Sequence, residues 1–203
     1  MFDSFSRGGS ERFDRKRYHE DFYRFYEGDI GRVSKLERGQ HFKERGFASW
    51  EAFAAGEWDR ALSLIEEKRE TYSRQLEAIA RRDLVQRRLR VVEFPVTPYV
   101  QWESFVLRLR VMLGDHIRVI DARTISDIER DGPVPEVVIL GNSVMYEVIY
   151  DDDGNADGAN RYTDPALIEE TLAGFDALYD RSEAFFDFFD REISSLAPPV
   201  VTC

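Results

Sequence analysis

The chain has 203 residues, 43% hydrophobic and 33% charged, with a formal charge of −11. That length supports one substantial core, or a compact core with a helical appendage. The single cysteine, Cys203, excludes a disulfide framework within the chain, no secretory apolar region follows Met1, and no apolar run reaches the ~20 residues of a membrane helix; a soluble protein of a reducing cytoplasm is expected. The charge is uneven: residues 1–90 hold 20 Lys/Arg and 17 Asp/Glu, a net of +3, whereas residues 91–203 hold 8 and 22, a net of −14. The acidic half repels phosphate backbones, so direct nucleic-acid binding is disfavoured.

Residues 1–12 read as a disordered N-terminus, rich in Ser, Gly and charge. Residues 13–88 read as a helical region. It opens with an aromatic helix carrying Tyr18, Phe22, Phe25 and Tyr26, and Asp29–Gly46 follows as short helix and turn around Gly31 and Gly39. Ser49 reads as the N-cap of a helix opening Trp50-Glu51-Ala52-Phe53. Trp58, Leu62, Ile65, Arg69, Tyr72, Leu76 and Ile79 then recur in alternating steps of four and three. That spacing predicts one continuous helix over 58–82, able either to pack on its own domain or to pair as a homodimer.

Residues 89–196 read as a mixed α/β core. Leu89–Phe94 is a strand, Thr97-Pro98 caps and opens a helix to Leu113, and Ile117–Ile120 is a second, parallel strand. Glu136–Gly141, Ser143–Tyr150 and Ala159–Thr163 follow as an antiparallel meander, turning at Gly141-Asn142 and across the polar loop Asp151–Gly158. Asp164-Pro165 opens a long C-terminal helix, and residues 197–203 read as a flexible tail. The expected fold is α+β or α/β: a helical N-terminal region packed on a mixed sheet, a βαβ unit followed by a meander, with a long C-terminal helix.

Several residue groups bear on function. Arg81, Arg82, Arg87, Arg88 and Arg90 form a dense cationic run, either an anion-binding site or a solvated helix end facing the helix dipole. Asp121 and Arg123 follow a parallel strand at the edge where α/β sheets hold ligands, and with Tyr99, Trp102, Glu103 and Arg108 they compose a candidate polar pocket. The alternative for them is a surface ion pair. Asp153, Asn155, Asp157 and Asp164 approach a calcium-loop spacing, but Asn160 stands at the apolar anchor position and the flanks read as strands. His19, His41 and His116 have no metal-ligand spacing, so neither metal nor cofactor is expected.

The segments RVVEFPVTPYVQWESFVLRLRVMLGDHIRVIDA, PEVVILGNSVMYEVIYDDDGNADGANRYTDP and FDALYDRSEAF resemble an uncharacterised actinobacterial family, a domain of unknown function encoded beside helix-turn-helix regulators. The resemblance spans residues 20–193 and is strongest from Arg90 to Phe189. The core order is also similar to one half of the phospholipase D-like fold. The positions matching its His, Lys and Asp are Val134, Glu136 and Gly141, which supply no nucleophile. The resemblance implies a non-enzymatic regulatory or interaction protein, partnering a DNA-binding regulator or sensing a small ligand. The alternative is a phosphodiesterase or nuclease with an unrecognised active site.

Overall fold

The computed structural model describes residues 9–200. Of the N-terminus expected to be disordered over residues 1–12, residues 1–8 lie outside them, as does the role of Cys203; the rest differs from the expectation, because Glu11 and Arg12 belong to a strand that pairs with residues 159–161. In chain order the elements are β1 (Glu11–Phe13), α1 (Arg15–Tyr26), β2 (Arg32–Glu37), α2 (Ala48–Ala54), α3 (Trp58–Glu66), α4 (Arg69–Ala80) and β3 (Val85–Val92). They continue with α5 (Pro98–Met112), β4 (His116–Asp121), a 3₁₀ turn (Ala122–Ile125), β5 (Val137–Leu140), β6 (Val144–Tyr150) and β7 (Ala156–Tyr162). The chain closes with α6 (Pro165–Arg181), β8 (Glu183–Ala184), α7 (Phe185–Phe188) and a π-helical turn (Phe189–Ile193).

The eight strands form one mixed sheet in the order β1-β7-β6-β5-β2-β3-β4-β8. β2, β3 and β4 are parallel, and all other pairings are antiparallel. The expected βαβ unit and meander are both present, joined through β2. Their capping also follows the expectation: Thr97 Oγ1 accepts from Val100 N at 3.2 Å, and Asp164 Oδ1 from Ala166 N at 2.9 Å.

One sheet face buries Leu36, Leu89, Val91, Val137 and Ile139 beneath Ile168, Phe175 and Leu178 of α6. The opposite face divides in two. Val92, Ile117 and Val119 pack under α5 with α2, α3 and α7, while Val33, Val138, Leu140 and Tyr146 lie under the half-buried aromatic side of α1. Gly158 permits the pairing of β1 with β7: its φ is +115°, and a Cβ there would meet the Phe13 carbonyl at 2.1 Å.

Four further elements differ from the sequence expectation. Asp29–Gly46 contains β2, a central strand, instead of helix and turn. Its polar residues hide the strand pattern because they find partners on other elements: Arg32 pairs with Asp176 of α6, and Glu37 with Arg88 of β3 at 3.4 Å. The continuous helix over 58–82 is two helices separated at Glu67-Lys68. Its residues face their own domain, with Trp58 edge-on to Phe105 at 5.5 Å and Arg110 over Tyr72. The final helix is interrupted where Arg118 of β4 donates to the Ser182 Oγ at 2.9 Å and to the Ser182 carbonyl, drawing the chain into β8.

Ser49 is the fourth. The N-cap of α2 is Phe47, and Ser49 is fully buried inside the helix. Its hydroxyl donates to the Ala61 carbonyl at 2.8 Å and accepts from Trp102 Nε1 at 3.0 Å, tying α2 to α3 and α5. Removing it strands a buried indole N–H. Ser49→Ala is expected to lower stability by about 1–3 kcal/mol, measured by urea denaturation; an unchanged unfolding midpoint would show that the hydroxyl contributes nothing.

Candidate functional site

The parallel strands β2 and β3 end side by side, and the chain leaves them as Arg38-Gly39-Gln40 and as Glu93. The segment from Ile128 to Glu136 forms the facing wall, and Glu147 and Val148 of β6 contribute the rest. Together they enclose an open cleft of about 1200 Å³. Its position, outside the carboxyl ends of parallel strands and beside the place where strand direction reverses, is where open α/β sheets hold ligands.

The cleft is built around one arginine. Arg38 donates from Nε and Nη2 to the two carboxylate oxygens of Glu129, at 2.6 and 3.0 Å, and its Nη1 lies 2.6 Å from Glu93. Glu129 also accepts from Val134 N at 2.9 Å, which fixes the facing wall to the same pair. Gln40 ties the strand ends together, donating to the Arg38 and Val91 carbonyls and accepting from Glu93 N at 2.9 Å. With Arg38 occupied, Glu93, Glu129, Asp131, Glu136 and Glu147 outnumber Arg38 and Arg130 on the walls. Among the described residues, no histidine, cysteine, serine or threonine lines the cleft.

Glu136 is the group whose chemistry is most altered. Burial and the nearby Glu37 carboxylate push its pKa from 4.5 up to about 7, against the backbone N–H groups of Gly39 and Arg38 that donate to it. It therefore exchanges its proton near neutral pH. Burial also acts to raise Glu37, but Arg88, Lys35 and Arg90 outweigh it and hold that carboxyl at about 2.

The arginines of the cationic run do not stay together. Arg81 and Arg82 remain at the end of α4, Arg81 3.9 Å from Glu77 and Arg82 donating to the Tyr26 and Gly28 carbonyls. Strand alternation in β3 sends Arg87 to the α6 face, 3.5 Å from Asp176, and Arg88 and Arg90 to the other. Arg90 is 1% exposed and donates from Nε to Glu103 at 2.8 Å. Burial lifts the Glu103 pKa and Arg90 opposes that shift.

Nor do the six pocket candidates line one cavity. Tyr99 and Trp102 are packed into the core, their rings 5.6 Å apart, with the Tyr99 hydroxyl donating to Glu44 at 3.1 Å. Arg108 lies over Phe189. Asp121 accepts from Arg123 at the sheet edge, and that bond holds its carboxyl below the usual range. Burial is the reason for the mismatch: Trp102 stacks on Phe53 of α2 at 5.5 Å and Tyr99 meets Phe42 edge-on at 5.5 Å, so the aromatic side of α5 fills space instead of enclosing it. Of the three positions that the expected phospholipase D likeness singled out, Val134 and Glu136 reach the cleft and Gly141 is a turn at the far end of β5; no comparison supports that likeness. In the Asp/Asn loop, Asp151 accepts from the backbone N–H groups of Asp153 and Asn155, an ordinary turn cap.

Arg38, Gln40, Glu93 and Glu129 were not singled out from sequence. The available signal was Val33-Ser34-Lys35-Leu36 bracketed by Gly31 and Gly39, which marks a short strand and therefore a strand end. Nothing local connects it to Glu129, about 90 residues away.

A mixed α+β domain with an acidic cleft at the ends of its parallel strands is the class that fold and site define. The family model described as Domain of unknown function (DUF6879) matches residues 20–190, and the chain belongs to that family. No curated protein matches it. Among solved structures, the chain is similar to TrmBL2, an archaeal chromatin protein whose structure shows a novel mode of DNA binding, at 9% identity and a TM-score of 0.38. That match covers 87% of this chain and 53% of the other, about half its length. Among the described residues no helix is long and apolar enough to cross a membrane.

Two predictions follow from these charges. Glu103→Leu leaves Arg90 buried without its carboxylate and is expected to cost about 3–5 kcal/mol by chemical denaturation, while Arg90→Met with Glu103→Leu recovers most of that loss. The second concerns pH. Glu136 binds its proton more tightly in the folded than in the unfolded chain, so its contribution falls as pH rises from 4.5 to about 7 and is level above. Glu37 contributes the opposite slope, but only between about 2 and 4.5. Across pH 5–7.5, Glu136→Gln should flatten the decline in thermal midpoint seen in the parent; parallel curves would refute the assignment.

Proposed function

We propose that this protein is a non-enzymatic binding module that senses a small cationic ligand in the acidic cleft and reports its occupancy to a protein partner. The observation that carries the reading is the cleft itself: about 1200 Å³ at the carboxyl ends of β2 and β3, with five carboxyl groups facing two arginines and, among the described residues, no hydroxyl, thiol or imidazole side chain. Carboxylates so placed favour ammonium or guanidinium groups through charge-assisted hydrogen bonds, and they repel phosphate. Glu136 adds a proton-linked contact, accepting from an ammonium only once it has ionised. The partner we propose is a DNA-binding regulator, in keeping with the gene neighbourhood that the sequence resemblance implies.

The test is calorimetric titration with agmatine, arginine and spermidine, alongside phosphate and potassium chloride as controls. Saturable binding of at least one amine is expected, accompanied by a raised thermal midpoint. Affinity should be weaker at pH 6 than at pH 8, and Glu136→Gln should reduce it about tenfold. Equal responses to the amines and to potassium chloride, or binding indifferent to Glu136→Gln, would overturn the reading.

A further inference from the structure

A second cavity, of about 300 Å³, lies on the opposite side of β6 from the cleft's mouth, between α1 and the sheet. Tyr18, Phe22 and Tyr26 of α1 form its roof, Tyr150 a side wall, and Lys35 and Arg88 are on its floor. This is the low end of the volume range of small-molecule pockets, about 300–1,000 Å³, and aromatic walls with few polar groups are their usual lining.

Two observations say what chemistry it fits. The first is charge. On this sheet face Lys35, Arg88 and Arg90 stand against Glu37 and Glu103, and Arg90 is already committed to Glu103 at 2.8 Å. Lys35 and Arg88 then share the single carboxylate of Glu37, at 2.5 and 3.4 Å, while Asp115, the next carboxylate acting on Arg88, is itself committed to Arg110 at 2.6 Å. The Glu37 contact is the one ion pair Arg88 makes among the described residues, and its 3.4 Å length is a loose pairing for a guanidinium.

The second observation is the roof. The Tyr18 and Tyr150 hydroxyls have no hydrogen-bond partner among the described residues, although both rings are held firmly. Tyr18 packs 5.1 Å from Tyr146, and Tyr150 stacks on Phe42 at 4.5 Å. Phe22 and Tyr26 are stacked at 5.5 Å beside them. Rigid ring faces over a cationic floor, with two phenol donors at hand, match a planar molecule carrying one negative charge.

We infer that the cavity between α1 and the sheet binds a small aromatic carboxylate, its ring against Tyr18, Phe22 and Tyr150 and its carboxylate on Lys35 and Arg88. The site is distinct from the cleft in location and opposite in charge preference. The ligand's carboxylate replaces the counter-charge that Glu37 supplies to only one of the two cations. The Tyr18 and Tyr150 hydroxyls donate to the same anion or to polar ring substituents. α1 has no fully buried residue, so it can admit a ligand without opening the core.

The experiment uses indole-3-acetate and benzoate as probes, with indole-3-acetamide as the neutral counterpart, followed by calorimetry and tyrosine fluorescence on the full chain. The expected result is saturable binding of indole-3-acetate at least about tenfold tighter than the amide, weakened by salt. Lys35→Met should lower the affinity for the acid about tenfold and leave the amide unaffected. Tyr150→Phe, which keeps the ring and its stacking, should cost a few-fold and retains a test if Lys35→Met fails to fold. Equal affinity for acid and amide, no binding of either acid at millimolar concentration, or acid binding unchanged in both variants would overturn the proposal.

Discussion

Arg90 holds a full charge at 1% exposure in the middle of the sheet, and the surrounding structure is arranged to make that tolerable. Glu103 must reach down from α5 to meet it at 2.8 Å, which sets the rotation of that helix on the sheet. Once Glu103 faces inward, Tyr99, four residues earlier on the same helix face, faces inward with it, and the adjacent Trp102 is turned onto Phe53 and Ser49 of α2. Arg90 also donates to the carbonyls of Glu37 and Val91, so it braces the ends of β2 and β3 where the cleft begins. A buried ion pair of this kind adds little net stability, because desolvation offsets its attraction. Its effect is to penalise every other register of α5 against β3.

The same face carries the charges that distinguish the two cavities. Glu37 lies between them, drawing Lys35 and Arg88 towards itself on one side and raising Glu136 on the other. One cavity ends up rimmed by carboxylates and the other floored by cations, though they share Val148 as a wall. This separation follows from strand alternation, which places Lys35, Glu37, Arg88 and Arg90 on one face at neighbouring registers. Low local dielectric then makes each charge felt by the next.

Much of the fold was legible. The caps at Thr97 and Asp164 each use a short polar side chain before proline, a device that depends only on neighbours in sequence. The meander's strands carry apolar runs broken by Gly and Asp, so their pattern was also local. β2 was not legible: Arg32, Ser34, Lys35 and Glu37 read as surface, and only partners on β3 and α6 make a strand of them. Ser49 failed for a related reason, since a hydroxyl before an apolar run fits a cap equally well as a buried bridge to Trp102.

The candidate site shows the same division. The amino-acid sequence by itself determined the capped helices α5 and α6, the parallel pair and meander, and the acidic balance of the C-terminal half. Only the tertiary structure decided that Arg81–Arg90 is dispersed over both sheet faces and a helix end, that Tyr99 and Trp102 are filling, and that Arg38, Glu93, Glu129 and Glu136 meet at one cleft. The physical reason is range. Caps, turns and periodicity are set within a few residues by backbone sterics and local hydrogen bonds, whereas a charge acquires its partner, its burial and its pKa from strands brought alongside from 50 to 100 residues away.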